Sequence, residues 1–234
     1  MRILLKFTAD ELSLPMDYKR GIQGFLYSCL SPEIGSLYHD EMEGMIKPFV
    51  FSSILGRYET INGRIVFNGP CSLYVASPHM TFLNEIYETI CETGMIMLYD
   101  KFIYLDEIKP FNFKLKDGTE TYNTISPITV YTSNEEGKRV YLEPSDRQFV
   151  QLVKENLLRK YKLVMGQEYS YPLNVYHFTN VKRLVCMYKG TGYVSYRCRF
   201  QVTAPAIMHQ MILDTGVGYR NSAGMGMVEI TRTR

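Results

Sequence analysis

Eleven residues near the carboxyl end, Gly216-Val-Gly218-Tyr-Arg220-Asn-Ser222-Ala-Gly224-Met-Gly226, set two Gly-x-Gly pairs around a polar, basic centre. Glycine lets backbone approach a ligand closely and reach positive φ, and successive N–H groups in such a stretch form concavities suited to phosphate. Arg220, Asn221 and Ser222 add side-chain donors. The order of elements excludes the familiar phosphate loops. A dinucleotide loop follows a strand and opens a helix; here a helical stretch at 205–215 precedes the glycines and a strand at 225–231 follows them, and there is no Gly-Lys-Ser/Thr. A plain connection with glycine at the helix C-cap accounts for Gly216 but not for the other three.

A second group, Tyr27, His39 and Lys47, lies early in the chain. At 3.6 residues per turn Tyr27 falls about 130° from the centre of its helix's apolar stripe, on a face shared with Arg20, Gln23 and Gly24. His39 stands in a polar stretch and Lys47 just before Phe49-Val50-Phe51. Taken singly, these are an amphipathic surface tyrosine, an exposed histidine and a strand-edge lysine. Metal ligation is poorly served: His39, His79, His177 and His209 are dispersed, and Asp40-Glu41 with Glu43 lacks a second close histidine, so a solvated acidic turn is the simpler reading.

The chain must supply elements that hold these groups. Its 234 residues, 46% hydrophobic, allow one large or two compact domains of a soluble globular protein, and no apolar run approaches the roughly 20 residues of a membrane span. Five cysteines without a C-x-x-C pair suggest neither a disulfide framework nor zinc, so a reducing cytoplasm is expected. The net charge of +2 conceals an asymmetry: residues 1–124 carry 11 Lys+Arg against 16 Asp+Glu, whereas 125–234 carry 15 against 8. A polyanion would meet the second half.

The first half reads as strand (2–7), helix (17–30), strands (49–56 and 64–76), a helix from Ser77 to Gly94, and a strand or hairpin (95–108). The second repeats the order: a strand at 125–132, a helix opened by a Ser145-x-x-Gln148 capping box, a hairpin of 173–188 and 193–203, the helix before the glycine loop and a last strand. An α+β architecture of two tandem ferredoxin-like βαββαβ domains, residues 1–118 and 124–234, is expected. Alternation from Tyr193 places Arg197 and Arg199 on the polar face of their strand, a basic strip in the electropositive half.

The glycine loop, the Tyr27 helix followed by Leu37-Tyr38-His39, the Ile125-Ser126-Pro127-Ile128 segment and the Leu158-Arg-Lys160-Tyr161 helix end together resemble the repeat-RNA-processing endoribonucleases of CRISPR systems, the sixth numbered Cas family within the RAMP superfamily. The resemblance covers essentially the whole chain. It implies cleavage of precursor CRISPR RNA within each repeat, without metal or other cofactor, as part of antiviral defence. It makes Tyr27 and His39 the acid/base pair and Lys47 a cationic stabiliser, and it points the loop residues Gly216, Gly218, Arg220, Asn221, Ser222, Gly224 and Gly226, with Arg197 and Arg199 as secondary contacts, towards RNA. The chemistry suits the residue types: the 2′-hydroxyl beside the scissile phosphate is the nucleophile, so only proton transfers and charge stabilisation are needed, and histidine, with an ordinary pKa near about 6.5, transfers protons at neutral pH.

Two other readings stand beside this one. Family members without the histidine bind RNA without cutting it, so the chain could be a non-catalytic guide-RNA-binding subunit of an effector complex. A metal-dependent nuclease would instead use Asp40, Glu41 or Glu43. The partner expected in every RNA reading is CRISPR repeat RNA, and exposed apolar surface would support a homodimer or docking to other effector subunits, with no membrane involved.

Overall fold

The computed structural model describes residues 1–38 and 46–231. Strand β1 (Arg2–Pro15) is longer than its alternation suggests. The pattern breaks at Asp10-Glu11, but the pairing shifts by one residue between Ala9 and Leu12, so a bulge takes up the polar pair and Leu12 and Leu14 return to the core. Helix α1 (Lys19–Ser28) buries Ile22 and Leu26, and α2 (Pro32–Ser36) is a short turn capped by Ser31. Strands β2 (Val50–Phe51), β3 (Leu55–Ile61) and β4 (Arg64–Ala76) follow, the last two joined at Asn62-Gly63, both at positive φ as a tight hairpin requires. Helix α3 (Met80–Thr93) ends on left-handed Gly94. A small hairpin, β5 (Met95–Leu98) and β6 (Lys101–Tyr104), leads into β7 (Glu107–Phe111).

The second half comprises β8 (Gly118–Thr124), a side hairpin of β9 (Tyr131–Ser133) and β10 (Arg139–Tyr141), helix α4 (Arg147–Met165), β11 (Asn174–Tyr188), β12 (Thr191–Ala204), α5 (Ala206–Thr215) and β13 (Val228–Ile230). The main sheets run β2-β4-β1-β7, with β3 also on β4, and β11-β12-β8-β13, all antiparallel. Read from the β7 and β13 edges, each is the order fourth, first, third, second of a βαββαβ unit, the ferredoxin-like arrangement expected. Apolar side chains of α1 and α3 close one core with β1 and β4, and those of α4 and α5 close another with β8 and β12.

Local assignments differ in several places, beginning with the strand expected over 49–56, which is divided between β2 and the start of β3. The first strand of the second sheet is 118–124, placed where a linker was expected and therefore beginning before residue 124. Its threonines and Asn123 hid it, for Tyr122 is its one large core side chain. Residues 125–128 instead cross between the sheets: Pro127 has no N–H, and the Ile125 and Ser126 amides both donate to Met227 O, at 2.8 and 3.1 Å. Helix α3 begins three residues after Ser77, whose hydroxyl donates to Pro48 O and accepts from the His79 amide. The Ser145 capping box is not formed, because α4 starts after Asp146, and the final strand is confined to three residues.

The halves meet tightly. Val50, Ala76, Ile125 and Met227 form one apolar cluster across the junction. Arg2, 1% exposed, donates from one guanidinium nitrogen to Leu213 O at 2.9 Å and Val228 O at 2.8 Å, with its charge over Phe113.

Candidate active site at the junction of the two halves

The glycine loop is built first from close packing. Gly216, Gly218, Gly224 and Gly226 all have φ between 72° and 79° and are buried. A Cβ on Gly226 would stand 1.9 Å from Val217 O, and one on Gly224 would stand 2.5 Å from the Phe51 ring. Only glycine fits either place. The loop's amides are largely spent inside the protein: Val217 donates to Gly226 O, Tyr219 to Thr129 O, Gly224 to Asn221 O and Gly226 to Pro127 O, all within 2.8–2.9 Å. The glycines therefore shape the loop, and the corner they present outward is Arg220, exposed, beside half-buried Ser222; Asn221 is buried. Arg220 is itself left-handed, with φ 59°, and its guanidinium lies over Tyr193 at 5.4 Å.

Beneath that corner is a side chain named in the sequence motif of the α4 end but given no role there. Lys160 of α4, 1% exposed, donates to Asn221 Oδ1 at 2.6 Å and Gly216 O at 2.8 Å, with Thr215 O and Gly218 O at 3.3 and 3.4 Å. These neutral oxygens include the carbonyls at the end of α5, where the helix dipole favours a cation. Burial pushes the Lys160 ammonium well below the usual lysine range. Its signal was present: 160 continues the buried stripe of Phe149, Val153, Leu157 and Tyr161.

The loop docks onto helix α1. Lys19, Gln23 and Tyr27 follow one another at i, i+4 and i+8, along one side of the helix. Lys19, 5% exposed, donates to Gly224 O at 2.8 Å. Gln23 donates through Nε2 to Ser222 O at 2.6 Å, and its Oε1 accepts from the Tyr188 hydroxyl. Lys19 and Gln23 thus carry this side of α1 onto the other half, whereas Tyr27, off the helix's apolar stripe, is half-buried against the first half's own core.

Tyr27 and Lys47, 20 residues apart, are brought together: Lys47 Nζ donates to the Tyr27 hydroxyl at 3.4 Å and lies 5.4 Å from its ring centroid. Phe49 packs edge-on against Tyr27 at 5.9 Å, holding the ring in place. Burial, with the nearby Tyr188 and Tyr38 hydroxyls, pushes the Tyr27 phenol above its ordinary value of 10.0. His39 lies outside the described residues, as do Asp40, Glu41 and Glu43. The residue before His39 is described: Tyr38, 1% exposed, hydrogen-bonds His79 Nδ1 at 2.6 Å and packs edge-on against Phe49 and at a tilt against Phe82. Both flanks of the 39–45 segment are thereby tied to one aromatic cluster. Among the described residues no group of three or more His, Cys, Asp or Glu could hold a metal ion.

Arg197 and Arg199 lie on β12. Arg197 is exposed opposite Lys182, and Arg199 is half-buried opposite Thr179. Arg199 lines a polar cavity of 190 Å³ with Thr121, His177, Asn180 and Gln201. Two register shifts in β11, with His177 and Asn180 at positive φ, form its wall. No helix among the described residues is long and apolar enough to cross a membrane.

A family model described as CRISPR associated protein Cas6, C-terminal, matches residues 105–230. The chain is 25% identical over 250 residues to CRISPR-associated endoribonuclease Cas6 2 of Methanocaldococcus jannaschii, covering 97% of this chain and 98% of that protein. A solved structure of the product of a Cas6-related gene from Pyrococcus furiosus aligns at TM-score 0.87 and 22% identity, covering 100% and 99% of the two chains. Another, described as an RAMP protein binding different RNA substrates, aligns at TM-score 0.84 and 20% identity, covering 99% and 100%. With its two ferredoxin-like sheets, the glycine loop docked between them and a family match across more than half its length, this chain belongs to the Cas6 family of CRISPR-associated proteins.

Proposed function

We propose that the protein is a metal-independent endoribonuclease that cuts precursor CRISPR RNA within its repeats, at a site formed by Tyr27, His39 and Lys47. The observation that carries this reading is the Tyr27–Lys47 pair at 3.4 Å, on the helix whose Gln23 holds Ser222 next to the exposed Arg220. The endoribonuclease name of the M. jannaschii relative and the RNA binding ascribed to the RAMP structure support the same substrate class.

In the reaction the 2′-oxygen forms a bond to the adjacent phosphorus as the bond to the 5′-oxygen breaks, leaving a 2′,3′-cyclic phosphate and a 5′-hydroxyl. One proton must leave the 2′-hydroxyl and one must reach the 5′-oxygen. Tyr27, whose phenol is held protonated by burial, serves as the donor side. Lys47 places positive charge where the phosphorane develops negative charge. His39 is then the proton acceptor, a role typically worth about 10² to 10⁴ in rate. Arg220, Ser222 and the basic strip of Arg197 and Arg199 bind the RNA, with the loop glycines and Asn221 fixing the corner.

Product mapping on a repeat RNA in EDTA tests the reading. Wild type is expected to cut at one position, His39→Ala to bind equally without cutting, and a 2′-deoxy substitution at the cut site to block the reaction. Cleavage lost in EDTA and restored by magnesium would falsify it in favour of a metal-dependent nuclease at Asp40, Glu41 or Glu43. Tight binding with no cleavage of any cognate repeat would leave a guide-RNA-binding subunit.

A further inference from the structure

Resting on the assignment of Tyr27 to catalysis, we infer that Gln23 and Tyr188 form a positioning pair that carries the placement of the Arg220–Ser222 corner to Tyr27. Gln23 stands one helical turn before Tyr27, so the two side chains leave α1 on the same side. Both ends of its amide are used across the junction: Nε2 donates to Ser222 O at 2.6 Å, and Oε1 accepts from the Tyr188 hydroxyl. Tyr188 is 6% exposed at the end of β11 and packs with Tyr193, Ala223 and Met225 against the loop.

The chemistry of the position is specific. One neighbour is a carbonyl, which demands a donor, and the other is a hydroxyl supplied with its proton, which demands an acceptor; a side-chain amide meets both at once. The contacts form a continuous path: Lys160 holds Asn221, Asn221 adjoins Ser222, Ser222 holds Gln23, and Tyr27 follows on the same helix. RNA seated on Arg220 thus rests on the same rigid unit that aims Tyr27. A shift of about 1 Å at a reacting group costs on the order of 10² in rate, so loosening this path lowers the cleavage step while leaving the outward-facing RNA contacts in place.

The test is single-turnover cleavage of repeat RNA in EDTA, with affinity measured separately on a repeat carrying the 2′-deoxy block and thermal melting recorded for every variant. Tyr188→Phe, which keeps the ring, and Gln23→Ala are expected to bind within about threefold of wild type and to cut at least about tenfold more slowly, the double variant being no slower than the worse single one. Gln23→Glu still accepts from Tyr188 but turns a carboxylate toward Ser222 O; once protonated, it donates there. Its deficit relative to wild type should therefore shrink as pH falls from about 8 to about 5, a signature that a packing role would not produce. If Tyr27→Phe is slow while Gln23→Ala and Tyr188→Phe cut at wild-type rate, the positioning pair is overturned and the catalytic reading stays. If the losses appear only in affinity, the pair is an RNA or folding contact and the inference also falls. Tyr27→Phe cutting normally would remove the catalytic assignment and the inference together.

Discussion

Tyr27 and Lys160 show how far burial alters a side chain's chemistry. Because Tyr27 is desolvated, its phenol keeps its proton beyond the ordinary 10.0. A tyrosine acting as donor with that shift gives no alkaline fall in cleavage rate below about pH 10. Single-turnover rates across pH 7 to about 10 check this; a decline at Tyr27's expense, absent in a Tyr27→Phe control, would show it to be more acidic than its surroundings dictate. Lys160 bears the cost of burial, which carbonyl and amide oxygens at 2.6–3.4 Å offset only in part. Lys160→Met removes the donor and leaves those oxygens buried and unmatched, so unfolding free energy should drop by about 3 kcal/mol in urea titration. A loss under about 0.5 kcal/mol would mean that water or a rearranged Asn221 replaces the ammonium.

At the scale of elements, the glycine loop is better described as a wedge than as a cradle. Its carbonyls receive Lys19, Gln23 and Lys160, from one helix of each half. The conflict at Gly226 is with backbone, 1.9 Å from Val217 O, where no rotamer change gives relief. Gly226→Ala should therefore cost about 3 kcal/mol or more and should lower RNA affinity too, since the Arg220 corner moves with the loop; melting and mobility shift measure the two effects. The glycine pattern was visible in the sequence, but whether those amides face a ligand or their own protein was not. Spacing reports the conformations a segment can adopt and says nothing of which distant groups, here Thr129 O and Pro127 O, claim its N–H groups. The strand at 118–124 was missed for a related reason, its pairing partners being about 80 residues away in β12.

Across the whole molecule, the basic second half faces the acidic first over a junction closed by Arg2, Lys19 and Gln23. Arg2 remains charged there, although burial lowers it to about 10. If RNA binds through phosphates along the basic half, log affinity falls linearly with log salt, by about 0.7 for each phosphate neutralised on a single strand. Arg220→Ala should reduce that slope by about 0.7, measured by titration at several salt concentrations; an unchanged slope places Arg220 away from phosphate.

The sequence alone determined the βαββαβ order of the first half, the main helices and the long hairpin of the second, and the residue types available for chemistry, because periodicity and turn punctuation are local properties; the second half's first strand, at 118–124, it did not. It singled out Tyr27 as a tyrosine off its helix's apolar stripe. What only the tertiary structure decided is what that side of the helix meets, Lys47 at 3.4 Å from Tyr27 and the Ser222 carbonyl against Gln23, and what lies beneath the loop, Lys160. These contacts join residues 20, 199 and 61 positions apart in the chain. No local pattern encodes such pairs: the first and third form only when distant segments of one half fold together, and the second only when the two halves meet.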